Sequence, residues 1–281
     1  MSNLLVKTRE ICRLFEIKPA RSKGQNFLIN EKIYDDIVNA AEIGPNDTVL
    51  EIGPGLGFLT MKLAAKAKKV IAVELDDRLA NYLQIGIDAQ DKENVKIVNS
   101  DILKFNLNKY IPRGESYKIV ANLPYNISSI FLRLFLSGEH KPDSFVLMLQ
   151  KEVAERIVAV PPEMSLLSVS VQYYSEPEIV RIVKAGNFWP EPEVDSAVIR
   201  IKTKDLKFKV AEDKRFFRLV HFGFSAKRKM LKNNLAGGLK IDGKIVEKEL
   251  EKCGLDLKVR AEALTLLNWQ KLFAALSDFV L

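Results

Sequence analysis

Asn122-Leu123-Pro124-Tyr125 follows an apolar run, Ile119-Val120-Ala121, that reads as the end of a buried strand. Pro124 has no N–H and biases Leu123 to an extended backbone, so the Leu123 carbonyl is expected to point outward from the strand tip. The Asn122 side-chain oxygen is a second acceptor beside it, and Tyr125 supplies a flat face. Two acceptors and a ring suit a planar group bearing an NH2, such as an adenine. The same tetrapeptide also reads as a plain strand-to-loop exit with a proline turn, since Asn and Pro are common turn residues.

A second constellation lies upstream. In Thr48-Val-Leu-Glu-Ile-Gly-Pro-Gly-Leu-Gly57 a buried strand runs into Gly53, Gly55 and Gly57 and then a helix from Phe58. Glycines at such a turn let backbone approach a ligand closely and tolerate positive φ. The spacing G-x-G-x-G lacks the third glycine of the dinucleotide fingerprint, which favours a smaller nucleoside ligand. Glu74 ends the next strand, Lys69-Val-Ile-Ala-Val-Glu74, twenty-one residues after Gly53. A carboxylate there can accept from both ribose hydroxyls. Asp101 follows a third strand, Val95–Asn99, and can accept an exocyclic NH2; the alternative is a turn or helix cap.

These residues need elements to carry them. Strand and helix patterns alternate up to the strand Tyr117–Ala121, then a fifth strand, Ser144–Gln150, runs into a helix, Lys151–Val158. This order predicts an α/β fold, a doubly wound parallel sheet with chemistry at the carboxyl ends of its strands. Leu167–Tyr174 and Ser196–Lys202 alternate like further strands. Between them Asn187–Asp195 is a loop stiffened by two prolines, with Phe188 and Trp189 open to either stacking or core packing. Before the glycine turn, Asn30 is expected to cap a helix carrying Ile33, Ile37, Val38 and Ala41. Past residue 203 the apolar positions fall at helix spacing, with a basic helical turn at Ala226–Lys232 broken by Gly237-Gly238. The expected division is therefore a Rossmann-like domain over 1–203 and a small all-helical domain over 204–281.

Composition narrows the class. The chain has 281 residues, 47% hydrophobic, enough for a sizeable core. No apolar run approaches the ~20 residues of a membrane span, Arg133 interrupting the nearest, and the N-terminus lacks a signal-peptide core. Two cysteines and two histidines give no disulfide framework and no metal spacing. A cytosolic protein without membrane contact or metal is expected. The net charge of +7 is uneven. Residues 1–30 carry six Lys/Arg against two acids, and 204–281 carry seventeen against ten; the middle is acidic. If the two ends fold to one side they make a basic face for a polyanion; otherwise the charge is a solvated surface.

Taken together, the blocks Gly24-Gln-Asn-Phe-Leu28, Glu51-Ile-Gly-Pro-Gly55, Asn122-Leu-Pro-Tyr-Asn-Ile-Ser128, Met148-Leu-Gln-Lys-Glu-Val153, Pro192-Glu-Val-Asp-Ser-Ala-Val198 and Arg260-Ala-Glu262 resemble the ribosomal RNA adenine N6,N6-dimethyltransferase family, small-subunit type. The resemblance runs from about Ser22 to Trp269. It implies methyl transfer from S-adenosylmethionine to N6 of two adjacent adenosines near the 3′ end of small-subunit rRNA. It implies cofactor contacts at Asn26, Leu28, Gly53, Glu74, Asp101 and Asn122, with Gln25, Gly55, Leu75 and Ile102 flanking them. Asn122 to Tyr125 match the family's catalytic motif, and Phe188 matches an aromatic used at the target base. RNA contacts are expected at Arg21, Lys23, Lys227, Arg228, Lys229 and Lys232, and the enzyme is expected to be a monomer. One block departs from the family: its usual Tyr-Gly-Arg-Leu-Ser is here Met164-Ser-Leu-Leu-Ser168, which bears on substrate approach. Two other readings stay on the table. One is a large-subunit rRNA adenine methyltransferase conferring antibiotic resistance. The other is a non-catalytic RNA-binding assembly or transcription factor.

Overall fold

The computed structural model describes residues 3–19, 25–123, 127–204 and 210–280. They form two compact units, one of Met1–Ala154 with Glu176–Thr203, the other of Glu155–Ser175 with Lys204–Leu281.

The first unit starts with α1 (Asn3–Leu14), a two-residue strand β1 (Phe27–Leu28) and α2 (Glu31–Ala40). The Asn30 side chain caps α2 by accepting from Lys32 N–H, and Ile33, Tyr34, Ile37 and Val38 form its buried face. There follow β2 (Thr48–Ile52), α3 (Phe58–Ala64), β3 (Lys69–Glu74), α4 (Asp77–Asp88), β4 (Val95–Asn99), β5 (Lys118–Asn122), α5 (Ser128–Leu136), β6 (Ser144–Gln150) and α6 (Lys151–Val158). After α7 (Leu166–Tyr174) come β7 (Ser175–Val183), β8 (Phe188–Trp189) and β9 (Ser196–Thr203). All five residues of β2 are buried, as in a strand covered on both faces.

The seven-stranded sheet has the order β4-β3-β2-β5-β6-β9-β7. From β4 to β6 every pairing is parallel, and β9 runs antiparallel to β6. The chain steps outward from β2 through β3 to β4, then returns to lay β5 on the other side of β2. The strand order therefore reverses between β2 and β5, which is where open α/β sheets bind ligands. Register aligns the strand ends: Ile52 pairs with Ala121, Glu74 with Asn99, and Asn122 with Met148.

The second unit is helical: the end of α6 from Glu155 and α7 together with α8 (Val210–Gly223), α9 (Leu231–Leu239), α10 (Gly243–Lys252) and α11 (Leu266–Leu276). Its core is built on Trp269, Phe216, Leu231, Leu235, Leu250 and Leu272. Four expectations need correction here. Leu167–Tyr174 is a helix, because Ser165 and Ser168 form a reciprocal capping box at its start. Tyr173 then stacks on Phe216 at 4.6 Å, and both Tyr173 and Tyr174 donate to the Asp213 carboxylate. These contacts place 155–175 with the C-terminal helices, so the units do not divide simply at 203/204. The basic run 226–230 is a turn, with the Asn234 amide donating to the Gly223 and Ala226 carbonyls in place of helix continuation. Gly237 and Gly238 lie inside α9, where the missing side chain of Gly238 lets α9 approach Phe222 of α8.

Candidate active site

The cleft lies at the carboxyl ends of β2, β3 and β5. Gly53, Gly55 and Gly57 all have positive φ, carrying the chain from β2 into α3. Gly53 shows why: a Cβ there would lie 3.3 Å from the Asn122 carbonyl oxygen, so the glycine lets the tips of β2 and β5 close together. Glu74 is 6% exposed; Oε2 accepts from Gly55 N–H at 3.1 Å and Oε1 from Asp76 N–H at 3.0 Å. Burial raises its pKa, and the two N–H donors pull the other way. Each oxygen keeps a lone pair for a ligand hydroxyl.

Glu51 opens the block Glu51-Ile-Gly-Pro-Gly55, but the sequence reading assigns it no role in the site. It is 1% exposed, lines the same cleft, and neither carboxyl oxygen has a hydrogen-bond partner among the described residues. Burial pushes its pKa up to about 8, with a further push from the nearby Glu74 carboxylate. An unpartnered buried carboxyl is costly, so its place at a cleft marks a position for a cationic or donor group. The signal in the sequence was an acid inside an otherwise apolar strand, Val49-Leu50-Glu51-Ile52.

A short strap forms one wall. β1 pairs with β8, Phe27 opposite Trp189 and Leu28 opposite Phe188. Ile29 N–H donates to the Asn187 carbonyl at 2.8 Å, the Asn30 amide to Asn187 Oδ1 at 2.8 Å, and Tyr34 O–H to the Leu28 carbonyl at 3.0 Å. These bonds fix Gln25, Asn26 and Leu28 on the cleft wall beside Gly55. Phe188 is 4% exposed and packed in the core cluster, so in this conformation it has the core-packing role of its two alternatives.

The remaining predicted residues divide. Gly53, Gly55, Glu74, Leu75 and Asn122 line the cleft with the strap residues. Asn122 has no side-chain hydrogen-bond partner among the described residues, and Leu123 is buried with its N–H on the Met148 carbonyl at 3.3 Å. Asp101 and Ile102 are not in the lining. Asp101 caps a short 3-10 turn by accepting from Leu103 N–H at 2.9 Å, and Ile102 is buried in that turn. Lys227, Arg228 and Lys229 are exposed, whereas Lys232 is tied to Glu247 at 2.6 Å. Arg21, Lys23, Pro124 and Tyr125 lie outside the described residues.

Comparison with known proteins decides the family. The model of the family described as ribosomal RNA adenine dimethylase matches residues 18–278. This chain belongs to that family. A ribosomal RNA small subunit methyltransferase A of Dehalococcoides mccartyi (strain CBDB1) is 41% identical over 271 residues, 96% of this chain and 92% of the relative. One from Clostridium botulinum (strain Okra / Type B1) is 39% identical over 278 residues, 98% of this chain and all of the relative. The crystal structure of a dimethyladenosine transferase from Plasmodium falciparum superposes with a TM-score of 0.78 at 27% identity, covering 90% of this chain and 98% of that one. The 23S rRNA methyltransferase ErmE gives 0.73 at 28% identity, covering 90% and 100%.

As a ribosomal RNA adenine dimethylase, the chain is an S-adenosylmethionine-dependent methyltransferase with a Rossmann-like sheet. The cleft fits that cofactor. S-adenosylmethionine supplies a methyl group on a positively charged sulfur. By the chemistry of their side chains, Glu74 would offer oxygens to the ribose hydroxyls, the turn at Gly53 and Gly55 would offer close backbone, and Glu51 would offer a carboxyl to the ammonium. A cation in the cleft would draw the raised pKa of Glu51 down and favour the ionised form of both acids.

Proposed function

We propose that this dimethylase transfers methyl groups from S-adenosylmethionine to N6 of two adjacent adenosines near the 3′ end of small-subunit rRNA, giving N6,N6-dimethyladenosine as the subunit matures. The observation that carries the reading is the placement of Asn122 at the tip of β5, facing the cleft that Glu51, Gly53 and Glu74 line. Relatives near 40% identity named for the small subunit support that target over the large-subunit one, for which the similar structure is 28% identical.

The amine of adenine is a poor nucleophile because its lone pair is delocalised into the ring. Asn122 Oδ1 accepts one N–H of this amine and the Leu123 carbonyl the other. Together they turn the lone pair toward the methyl group. The N–C bond forms as the S–C bond breaks, and one amine proton leaves to solvent. Positioning and polar stabilisation supply most of the acceleration. Tyr125 stacks on the base, worth ~1–3 kcal/mol. Phe188 adds a second ring only if it leaves its packed position. A paired adenine cannot reach the cleft, so the target is single-stranded or flipped. After the first transfer one N–H remains for two acceptors, so the second methylation relies more on shape than on hydrogen bonds. In this reading the sheet unit holds cofactor and base, and Lys227, Arg228 and Lys229 of the helical unit contact rRNA phosphates.

The test is methyl transfer to purified small subunits that lack the modification, followed by base mapping. Label at N6 of two adjacent adenosines is expected. Label confined to large-subunit RNA, or no transfer with cofactor bound, overturns the reading.

A further inference from the structure

A second cleft in the sheet unit lies outside the site just described. It has a volume of about 680 Å³ and sits between α1, the turn after it, and the start of α4. Its rim carries Arg9, Arg13, Lys18 and Arg78, one carboxylate, Glu16, and the ring of Trp189. We propose that this cleft holds the phosphodiester backbone of the rRNA substrate, a contact additional to the basic residues already considered; the proposal rests on the methyltransferase reading above.

The inner side of α1 fixes the arrangement. Thr8 and Cys12 are buried, and Cys12 and Ile11 pack in a cluster with Phe27, Leu56, Leu79 and Trp189. Arg9 and Arg13, four residues apart on one helix, therefore stand one above the other on the exposed side. The Arg9 guanidinium lies 5.7 Å from the Trp189 ring centroid. Arg78 Nη1 donates to the Glu16 carbonyl at 2.7 Å, pinning the turn after α1 to α4.

Charge identifies the occupant. Elsewhere in this unit Lys62, Lys118, Arg181 and Arg200 are each paired with carboxylates. Among the described residues none of Arg9, Arg13, Lys18 and Arg78 is. Four cations held around an open cleft with a single carboxylate on its rim fit a polyanion that presents successive charges. The cleft also has a direction. Ile17, Lys18 and Arg78 continue into an adjoining groove with Gln25, Leu75 and Asp76, and these three line the Glu74 cleft. Asp76 and Asp77 make that groove acidic, so the phosphate track ends at Lys18 and Arg78, short of the cofactor.

The test compares Arg13→Gln/Lys18→Gln with Lys66→Gln/Lys68→Gln, an equal loss of exposed charge elsewhere on the same unit. Binding is measured from low to moderate salt on immature small subunits and on a naked transcript of the rRNA 3′ region. The first variant should lower the slope of log affinity against log salt by about 1.4, from about 0.7 per single-strand phosphate neutralised. It should bind both RNAs several-fold more weakly, with S-adenosylmethionine affinity unchanged. The second variant should behave as wild type. Equal slopes for the two variants overturn the proposal. Weaker binding to subunits but unaltered binding to naked RNA also overturns it, by assigning the cleft to a ribosomal protein. Absence of rRNA methylation by the wild-type enzyme would instead count against the activity reading, because the slope comparison needs no turnover.

Discussion

At the scale of single residues, the proposed mechanism separates groups that bind from a group that acts during transfer. Asn122 is a preorganised acceptor, so Asn122→Ala should slow single-turnover methylation by two to three decades, or ~2.7–4 kcal/mol, at saturating S-adenosylmethionine. RNA affinity should hardly move, because phosphate contacts dominate it. A rate within about threefold of wild type would make Asn122 a strand-end residue only. In the same proposal Glu74 belongs to ground-state binding. Glu74→Ala should weaken S-adenosylmethionine by about 1.5–3 kcal/mol in calorimetric titration, the range for hydrogen bonds to a charged group. Unchanged affinity would remove it from the site. Glu51 adds a pH signature. With its folded pKa raised to about 8 from 4.5, the folded protein holds more protons than the unfolded chain between those values. Stability of the free protein should therefore fall as pH rises from about 4.5 to about 8. Glu51→Gln removes that contribution, so thermal melting at pH 5.5 and 8.5 should show a smaller pH difference in the variant than in wild type. An identical difference in both proteins would mean the carboxyl is already ionised in the fold.

Elements explain what places these residues, and adjacent glycines in α9 give the sharpest element-level test. A Cβ on Gly237 meets nothing within 4 Å, whereas on Gly238 it would fall 2.6 Å from Phe222 Cβ. Gly237→Ala should stabilise by about 0.5–1 kcal/mol through helix propensity. Gly238→Ala gains the same propensity but overpacks the α8–α9 interface, which typically costs ~1–3 kcal/mol, so it should destabilise. Denaturant midpoints giving the two substitutions the same sign would contradict the packing described. The pair reads in sequence only as a helix breaker, because the partner that requires Gly238 lies sixteen residues away. α7 is a comparable case: its alternating Leu167-Ser-Val-Ser-Val suggests a strand, and the Ser165–Ser168 capping box decides for helix. The strap between β1 and β8 joins segments about 160 residues apart, and no periodicity announces a two-residue strand.

For the molecule as a whole, the charge distribution suits an acidic cleft for a cationic cofactor and basic surface for RNA. The helical unit contributes Lys227, Arg228 and Lys229 on an exposed turn, while Lys232 is already paired with Glu247. Neutralising the first three together should flatten the salt dependence of subunit binding by about 0.7–0.9 for each phosphate that no longer meets a cation, and Lys232→Gln should add little. An unaltered slope in the triple variant would leave this turn a solvated surface. The sequence by itself determined the doubly wound order, the glycine turn and the strand-end positions of Glu74 and Asn122, because apolar runs, glycines and an acid at set spacing are local signals. Only the tertiary structure decided the rest. It buried Glu51 without a hydrogen-bond partner among the described residues, packed Phe188 into the core, and gathered residues 155–175 with the C-terminal helices. In each case the outcome turns on burial or on a partner brought close by packing, and burial and packing are properties of the folded chain rather than of any one segment.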